Sequence, residues 1–160
     1  MNRNSNALSG EFYVLSRLLR KGLDASLTLG NTKSVDILIR NPETGKKFDI
    51  EVKTTALEKE YGGKWGKHLF WFLKEGILER KEYSDKSFYF VFVWLQPNDD
   101  YEIFIVPGKK VIDYVRFAIK KSTELGVKKN YNLRIGDDTE YVLDKTKYKN
   151  NFNPFFKGAI

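Results

Sequence analysis

Several residue types that mark common protein classes are rare or missing in this 160-residue sequence. It contains no cysteine, which excludes disulfide bonds and thiolate metal sites. No apolar run reaches the roughly 18 residues that a transmembrane helix needs. The N-terminal residues lead directly into an amphipathic segment that contains Glu11, which is unlike a signal peptide. We therefore expect a cytoplasmic protein that has no membrane partner.

What the sequence does contain is typical of a folded domain with an anionic partner. Hydrophobic residues make up 41% and aromatic residues 15% of the chain, which argues against disorder. The formal net charge is +7, which favours nucleic acid as a partner. A soluble protein from a lysine-rich proteome is the alternative interpretation of this charge. We expect residues 1–160 to form one domain, with an aromatic C-terminal tail from about residue 144.

Two short segments on either side of residues 41–46 are predicted to form a β-hairpin. Proline and glycine in 41–46 are typical of a turn, and a four-residue loop is a common hairpin length. If the loop closes there, Ile37 lies opposite Ile50, and Asp36 lies opposite Glu51. Residues that are directly opposed point to the same face of the sheet, so the two carboxylates are expected to be neighbours.

Alternation along the second strand of the hairpin places Asp49, Glu51 and Lys53 on one face. Adjacent carboxylates repel each other, and a divalent metal ion removes that repulsion. A lysine beside such an ion can stabilise a developing negative charge. These are the groups needed to cut a phosphodiester, although a hairpin with one solvated, charged face is the simpler alternative.

A helix is predicted before the hairpin, from a cap at Ser5 or Asn6 to about Lys21, with Gly22 as its C-terminal stop. Its apolar stripe is expected to contain Leu8, Phe12, Leu15, Leu18 and Leu19. Glu11 lies within that stripe. A carboxylate on a buried helix face needs a partner, and a metal site or a lysine would supply one. The alternative is that Glu11 lies at the edge of the stripe and reaches water.

The helix with Glu11, then Asp36, then Glu51-Val52-Lys53 resembles the PD-(D/E)XK nuclease superfamily in the order of its elements. This restriction-endonuclease-like fold also includes Holliday junction resolvases. Further segments within residues 8–120 resemble small bacterial members, although Val35 stands where the family name has proline. The resemblance implies an α/β fold in which a central mixed β-sheet of about four or five strands is flanked by helices.

The resemblance also implies a role for each of these residues. Asp36 and Glu51 would bind Mg²⁺ with help from the backbone carbonyl of Val52, and Mn²⁺ would substitute for Mg²⁺. Lys53 would orient the attacking water or stabilise charge on the phosphoryl oxygens. Glu11 would complete the metal shell, directly or through water. The implied activity is that of a metal-dependent endodeoxyribonuclease, a hydrolase that acts on DNA in restriction, repair or junction processing.

Two further segments are candidates for contact with nucleic acid. The first is the glycine-rich stretch 56–68, a flexible loop beside the expected site, and the second is a helix from about Lys109 to Glu124. The candidate residues in these two segments are Lys64, Trp65, Lys67, His68, Lys109, Lys110 and Arg116. Simpler interpretations are a surface histidine at position 68, aromatic residues such as Trp71 and Phe72 that cover the core edge, and a solvated helix face.

The remaining segments complete the α/β architecture. Residues 23–29, 88–95 and 101–106 are predicted strands, and the apolar run 88–95 suits an interior strand buried on both faces. A short helix is predicted over 73–82, within a helical crossover that links the hairpin to the later strands. The C-terminal phenylalanines would dock on the body of the chain or on a second copy, so a homodimer stays open beside DNA as a partner.

Three functions are compatible with the sequence. The first is the Mg²⁺-dependent nuclease, and the second is a catalytically inactive nucleic-acid-binding module of the same fold. The third is a protein-interaction module that assembles through its aromatic C-terminus. The presence of Glu11, Asp36, Glu51 and Lys53 together favours the nuclease, because a pure binding module does not need that set.

Overall fold

The fold is given by a computed structural model, which describes residues 3–28, 35–62, 66–129, 131–137 and 139–156. Two 3₁₀ helices, Glu75–Glu79 and Lys81–Ser84, join the regular elements. The helices and strands are α1 (Arg3–Arg20), β1 (Asp24–Leu27), β2 (Ile37–Arg40), β3 (Lys47–Thr55), β4 (His68–Phe72), β5 (Phe88–Leu95), β6 (Tyr101–Pro107), α2 (Gly108–Glu124), β7 (Asn132–Gly136), β8 (Leu143–Asp144), α3 (Lys145–Tyr148) and α4 (Asn153–Phe156). Within the described residues, no helix has the length and apolar character required to cross a membrane.

A five-stranded mixed sheet forms the centre of the fold, in the order β1-β2-β3-β5-β6. All neighbouring strands are antiparallel except β3 and β5, which are parallel. The predicted mixed sheet is therefore confirmed. The predicted hairpin register is also correct, because Ile37 pairs with Ile50 and Arg40 with Lys47. The turn closes where expected, with the Asn41 N–H donating to the Lys46 carbonyl at 2.8 Å.

The central sheet separates two hydrophobic cores, and the alternation of strand β5 divides its side chains between them. Phe88, Phe90 and Phe92 point towards β4, the 3₁₀ helices and α2. Tyr89, Val91 and Val93 point to the opposite side, where α1 and the C-terminal residues pack. Strand β5 is therefore an interior strand buried on both faces, as its apolar run predicts.

Helix α1 begins at Arg3, ahead of the predicted cap, and ends at Arg20. Gly22 follows with a φ of +82°, a left-handed conformation that suits glycine, so the predicted stop is confirmed. The predicted apolar stripe is wrong for three of its five members. Leu8, Phe12 and Leu19 are 52%, 58% and 50% exposed.

The buried face of α1 instead contains Gly10, Val14 and Leu18. Gly10 explains the shift, because a Cβ atom at this position would lie only 2.0 Å from Thr54 Oγ1 on strand β3. The helix therefore contacts the sheet through its smallest residue, which allows the two backbones to approach closely. This rotates the helix so that Glu11, the next residue, is half-buried at the edge of the contact.

The connection from β3 to β5 differs from the predicted helical crossover. In its described residues it contains strand β4 and the two 3₁₀ helices, one of which, Glu75–Glu79, lies where a short helix was predicted. Strand β4 belongs to a second, three-stranded sheet in the order β4-β7-β8. Trp71 anchors β4 to the central sheet, since its buried indole N–H donates to the Val93 carbonyl at 3.1 Å.

The C-terminal segment docks on the body of the chain, one of the two outcomes predicted for it. Phe152 and Phe155 are buried in the core beneath α1, whereas Phe156 is 39% exposed. The side chain of Asn41 in the hairpin turn donates to the Phe155 carbonyl at 2.8 Å. Because the Asn41 side chain also accepts the N–H groups of its own turn, it ties the hairpin to the tail.

Candidate active site

Asp36 lies one residue before β2, at the point where the chain joins the hairpin ladder. Its N–H donates to the Ile50 carbonyl at 2.8 Å, which extends the pairing by one residue. Its carboxylate accepts the Val52 N–H at 2.6 Å through Oδ2. This hydrogen bond holds the Asp36 carboxylate against the β3 backbone at Val52, the residue between Glu51 and Lys53.

Glu51 projects from β3 into the side of the sheet that faces the 3₁₀ helices, and it is only 7% exposed. Its Oε1 forms an ion pair with the Lys53 Nζ. Its Oε2 is buried and has no hydrogen-bond partner. An unpartnered buried carboxylate oxygen is costly, because it has lost water and gained nothing in exchange. This oxygen is therefore available to a cation or another donor.

The Asp36 carboxyl has a perturbed acidity. Burial raises its pKa above the ordinary value of 3.8. The hydrogen bond from the Val52 N–H and the charge of Lys53 act against this rise, while the charge of Glu51 adds to it. A carboxyl whose pKa is raised by burial and by a neighbouring carboxylate is stabilised when a cation binds beside it.

Glu11 reaches the same site from helix α1. Its pKa is raised chiefly by burial and further by the charge of Asp36, and the charge of Lys53 opposes the rise. Glu11 therefore lies within electrostatic range of both residues, although it does not line the cleft that they share. Of the four predicted site residues, Asp36, Glu51 and Lys53 therefore line the cleft, and Glu11 lies beside it.

The residues present fit a magnesium-type ion that keeps much of its water. Among the described residues, no group of three or more histidine, aspartate or glutamate side chains is arranged to hold a metal. Mg²⁺ is commonly bound through one or two carboxylates plus waters, rather than by a complete protein cage. Asp36 and the unpartnered Oε2 of Glu51, with the Val52 carbonyl, match that donor set. The metal-binding roles of Asp36, Glu51, the Val52 carbonyl and Glu11 all stay predictions.

The site lies in a cleft of about 440 Å³. The three residues Asp36, Glu51 and Lys53 form one part of its lining. The remaining lining residues come from the connection between β3 and β5: Phe72, Leu73, Lys74, Gly76, Ile77, Arg80 and Tyr83. The cations Lys74 and Arg80 were missed by the sequence analysis. Residues 73–82 have the mixed charge of an ordinary solvated helix. Nothing in that pattern indicates that the segment lines a cleft together with residues of the hairpin.

The candidate nucleic-acid contacts of the glycine-rich loop have different positions. Lys64 and Trp65 lie outside the described residues. Lys67 is exposed just before β4. His68 is 7% exposed and starts the strand, with its Nδ1 atom 3.1 Å from the Gly66 carbonyl. The interpretation of His68 as an ordinary surface residue is therefore wrong, because pairing with Tyr61 and Gly136 draws it into the small sheet.

The aromatic residues after His68 also differ from expectation. Trp71 is 2% exposed and lies in the core rather than at its edge. Phe72 is 67% exposed, so the interpretation that it covers the core edge is wrong. Successive residues of a strand point to opposite faces, and this alternation places Trp71 inside and Phe72 outside.

The candidate contacts on α2 are exposed but do not line the cleft. Lys109 Nζ lies 2.7 Å from Asp113 Oδ2, and Arg116 Nη1 lies 3.9 Å from Asp113 Oδ1. Lys110 lines a separate cavity of about 390 Å³, between α2 and residues 139–148. Whether these three residues contact nucleic acid stays a prediction, but their charge is partly balanced along the helix itself.

The fold is similar to that of a solved bacterial homing endonuclease, I-Ssp6803I, with a TM-score of 0.54 and 12% sequence identity. The similarity covers 95% of this chain and 89% of the other. At this identity it shows a shared fold, and neither an activity nor the narrower PD-(D/E)XK assignment. No protein-family model matches the chain. No curated protein sequence matches it significantly either.

Proposed function

We propose that this protein is a metal-dependent nuclease of the PD-(D/E)XK type that hydrolyses phosphodiester bonds in DNA. The observation that carries this proposal is the buried, unpartnered Oε2 of Glu51 beside the carboxylate of Asp36. In a purely structural salt bridge both oxygens of a buried carboxylate normally have partners, whereas here the pairing with Lys53 engages Oε1 alone. The similarity of the fold to a homing endonuclease supports the same conclusion.

Each residue at the site has a proposed role. Asp36, Glu51 and the Val52 carbonyl would hold Mg²⁺ or Mn²⁺, and Glu11 would bind its water. When bound, such an ion polarises a phosphoryl oxygen and lowers the pKa of its water. Lys53 is paired with Glu51 in this structure. Neutralisation of the Glu51 charge would release the ammonium group of Lys53, which could then donate to a phosphoryl oxygen or to the attacking water.

The substrate is proposed to be DNA on the basis of the charge of the chain and the similarity of its fold to a homing endonuclease. The chain carries a formal net charge of +7. Lys74 and Arg80 line the same cleft as the carboxylates. They would contact phosphates on either side of the bond that is cut and orient the strand at the site.

Cleavage assays with variants of the site test this proposal. Plasmid, single-stranded and branched DNA would be incubated with Mg²⁺ and with wild type, Asp36→Asn or Lys53→Ala. We expect cleavage by wild type and a loss of at least about 100-fold in both variants, because each removes a group that acts on the charged transition state. Asp49→Asn is the control, since Asp49 shares the β3 face but lies outside the cleft. Equal cleavage by all four proteins, or none by wild type, contradicts the proposal.

A nucleic-acid-binding module that does not cut is the second candidate. The observation in its favour is that the described residues hold no three-residue metal cluster. Calorimetric titration with Mn²⁺ separates the two candidates. Binding of Mn²⁺ that Asp36→Asn or Glu51→Gln weakens is expected of the nuclease, whereas an inert module shows no such site.

A further inference from the structure

A row of aromatic side chains lies on the outer face of β4. The strand alternates, so that Leu69 and Trp71 are buried while Phe70 and Phe72 lie on the other face. Tyr61 joins the row because its backbone pairs with His68 at N···O distances of 2.7 and 2.8 Å. The ring of Phe70 lies 5.2 Å from that of Tyr61 and 5.2 Å from that of Phe72.

The aromatic row leads to the carboxylate cleft, and its two end rings are exposed while Phe70 between them is half-buried. Tyr61 is 49% and Phe72 67% exposed, and Phe72 itself lines the cleft with Asp36 and Lys53. Single exposed apolar residues are ordinary in proteins. Three adjoining rings that end at a polar cleft form a contiguous apolar patch, which is typical of a binding surface.

From the aromatic row we infer that this nuclease takes single-stranded or locally unpaired nucleic acid, and that unpaired bases stack on Phe72 and the rings behind it. The inference rests on the proposed function and specifies its substrate. Every base has a π-face that can stack on an aromatic side chain, but in a duplex those faces are covered by neighbouring bases. Only a strand with unpaired bases can therefore use the row while its phosphates lie in the cleft.

The charges around the row favour nucleic acid over a protein partner. Lys74 follows Phe72 by two residues and lines the cleft with Arg80, whose guanidinium Nη1 lies 3.9 Å from Glu82 Oε1. Aromatic rings and arginine occur in both kinds of interface, so Lys74 is the residue that discriminates: lysine is depleted in protein–protein interfaces, whereas cations beside aromatic rings are typical of single-strand binding grooves. A nucleotide strand can place its bases on the rings and its phosphates beside the cations of the cleft.

Fluorescence anisotropy with labelled oligonucleotides tests the inference in EDTA, where binding is measured without cleavage. We expect Phe72→Leu to weaken binding to a single strand by about 5- to 150-fold, since stacking of one base is worth about 1–3 kcal/mol. Phe72→Trp keeps an aromatic face and should stay within about threefold of wild type. Phe156→Leu is the control, because Phe156 is an exposed phenylalanine in α4, next to the core on the opposite side of the central sheet.

Two further measurements use the same assay. An abasic strand carries the same phosphates without bases, and we expect wild type to bind it more weakly than the ordinary strand. Phe72→Leu should change the affinity for a blunt duplex by less than about twofold. The inference is overturned if wild type does not bind the single strand, if Phe72→Leu binds it normally or weakens duplex binding equally, or if the abasic strand binds as tightly. Failure of the nuclease proposal is distinct, because it appears as absent cleavage with this binding pattern intact.

Discussion

Replacing Asp36 by asparagine should make the metal-free protein more stable. The pKa of Asp36 is raised, chiefly by burial and also by the charge of Glu51, so its ionised form is less favourable in the folded protein than in the unfolded chain. Asparagine removes the charge but keeps an oxygen that can accept the Val52 N–H, which is now bound at 2.6 Å. The substitution therefore removes the unfavourable part of the interaction and retains the hydrogen bond.

The expected gain is modest because Asp36 is only partly buried and solvent screens its charge. Single stabilising substitutions commonly add about 0.5–2 kcal/mol to the free energy of unfolding, and we expect the lower half of that range. For a chain of this length, 1 kcal/mol corresponds to about 2–4 °C in Tm. Thermal unfolding in EDTA at neutral pH should thus show an increase of about 1–4 °C.

The sign of the pH dependence follows from the raised pKa. Protonated Asp36 carries no penalty, so the contribution of this residue to wild-type stability is greatest at low pH and is lost as pH rises through the folded-state pKa. The advantage of Asp36→Asn should therefore be small near its ordinary pKa of 3.8 and should grow towards neutral pH.

Magnesium should reverse the order of the two proteins. An ion that binds only the folded state stabilises wild type by about 1.4 kcal/mol at ten times its Kd, and Asp36→Asn should lose this gain. Asp49→Asn is a matched control, because burial and the charge of Asp85 raise the Asp49 pKa outside the cleft. A lower Tm for metal-free Asp36→Asn, or equal stabilisation of both proteins by Mg²⁺, would refute this reasoning.

Three more predictions follow from other contacts of the structure. Gly10→Ala places a Cβ atom 2.0 Å from Thr54 Oγ1, so α1 must move. We expect the free energy of unfolding, measured by urea denaturation, to fall by about 1–3 kcal/mol and cleavage activity to be lost, whereas the control Ser16→Ala, at an exposed position, should change neither. Asn41→Ala leaves the Phe155 carbonyl without its donor and should cost about 1–3 kcal/mol and speed proteolysis of the C-terminal tail, whereas exposed Asn98→Ala should behave as wild type. Calorimetry from about pH 8 to about pH 5 should show that the affinity for Mg²⁺ begins to fall at a higher pH than it would with ordinary carboxylates. The reason is that the pKa values of Glu11 and Asp36 are raised, and an affinity that stays constant down to about pH 5 would contradict this.

The parts of the fold that were predictable from sequence are local. The hairpin register follows from a loop of fixed length and from the alternation of its strands, so the proximity of Asp36 to Glu51 could be predicted without coordinates. The C-terminal stop of α1 at Gly22 depends on one residue's conformational preference and was also predictable. In each case the interacting residues are few and close in sequence.

The parts that were not predictable depend on contacts between distant segments. Strand β4 pairs with β7 between residues that are 60 to 68 positions apart, and neither strand has a pattern that indicates its partner. Burial of His68 follows from that pairing, so a lone histidine beside glycines resembled a surface residue. The orientation of α1 is decided by Gly10 against Thr54, and that contact outweighs the leucine-rich stripe.

The topology explains why the carboxylates and Lys53 of the cleft were predictable from the sequence, whereas its lining residues from 72–83 were not. Strands β3 and β5 are parallel neighbours, so the chain between them must return to the same end of the sheet through a long connection. That connection covers the face to which Glu51 and Lys53 point, and it supplies Phe72, Lys74 and Arg80 to the cleft. The proposed chemistry thus depends on a short hairpin, while the residues proposed to contact the substrate, Phe72, Lys74 and Arg80, lie on the crossover. Substitutions at Phe72, Lys74 and Arg80, which are not buried in the core, should therefore alter substrate preference while the carboxylates and Lys53 stay in place.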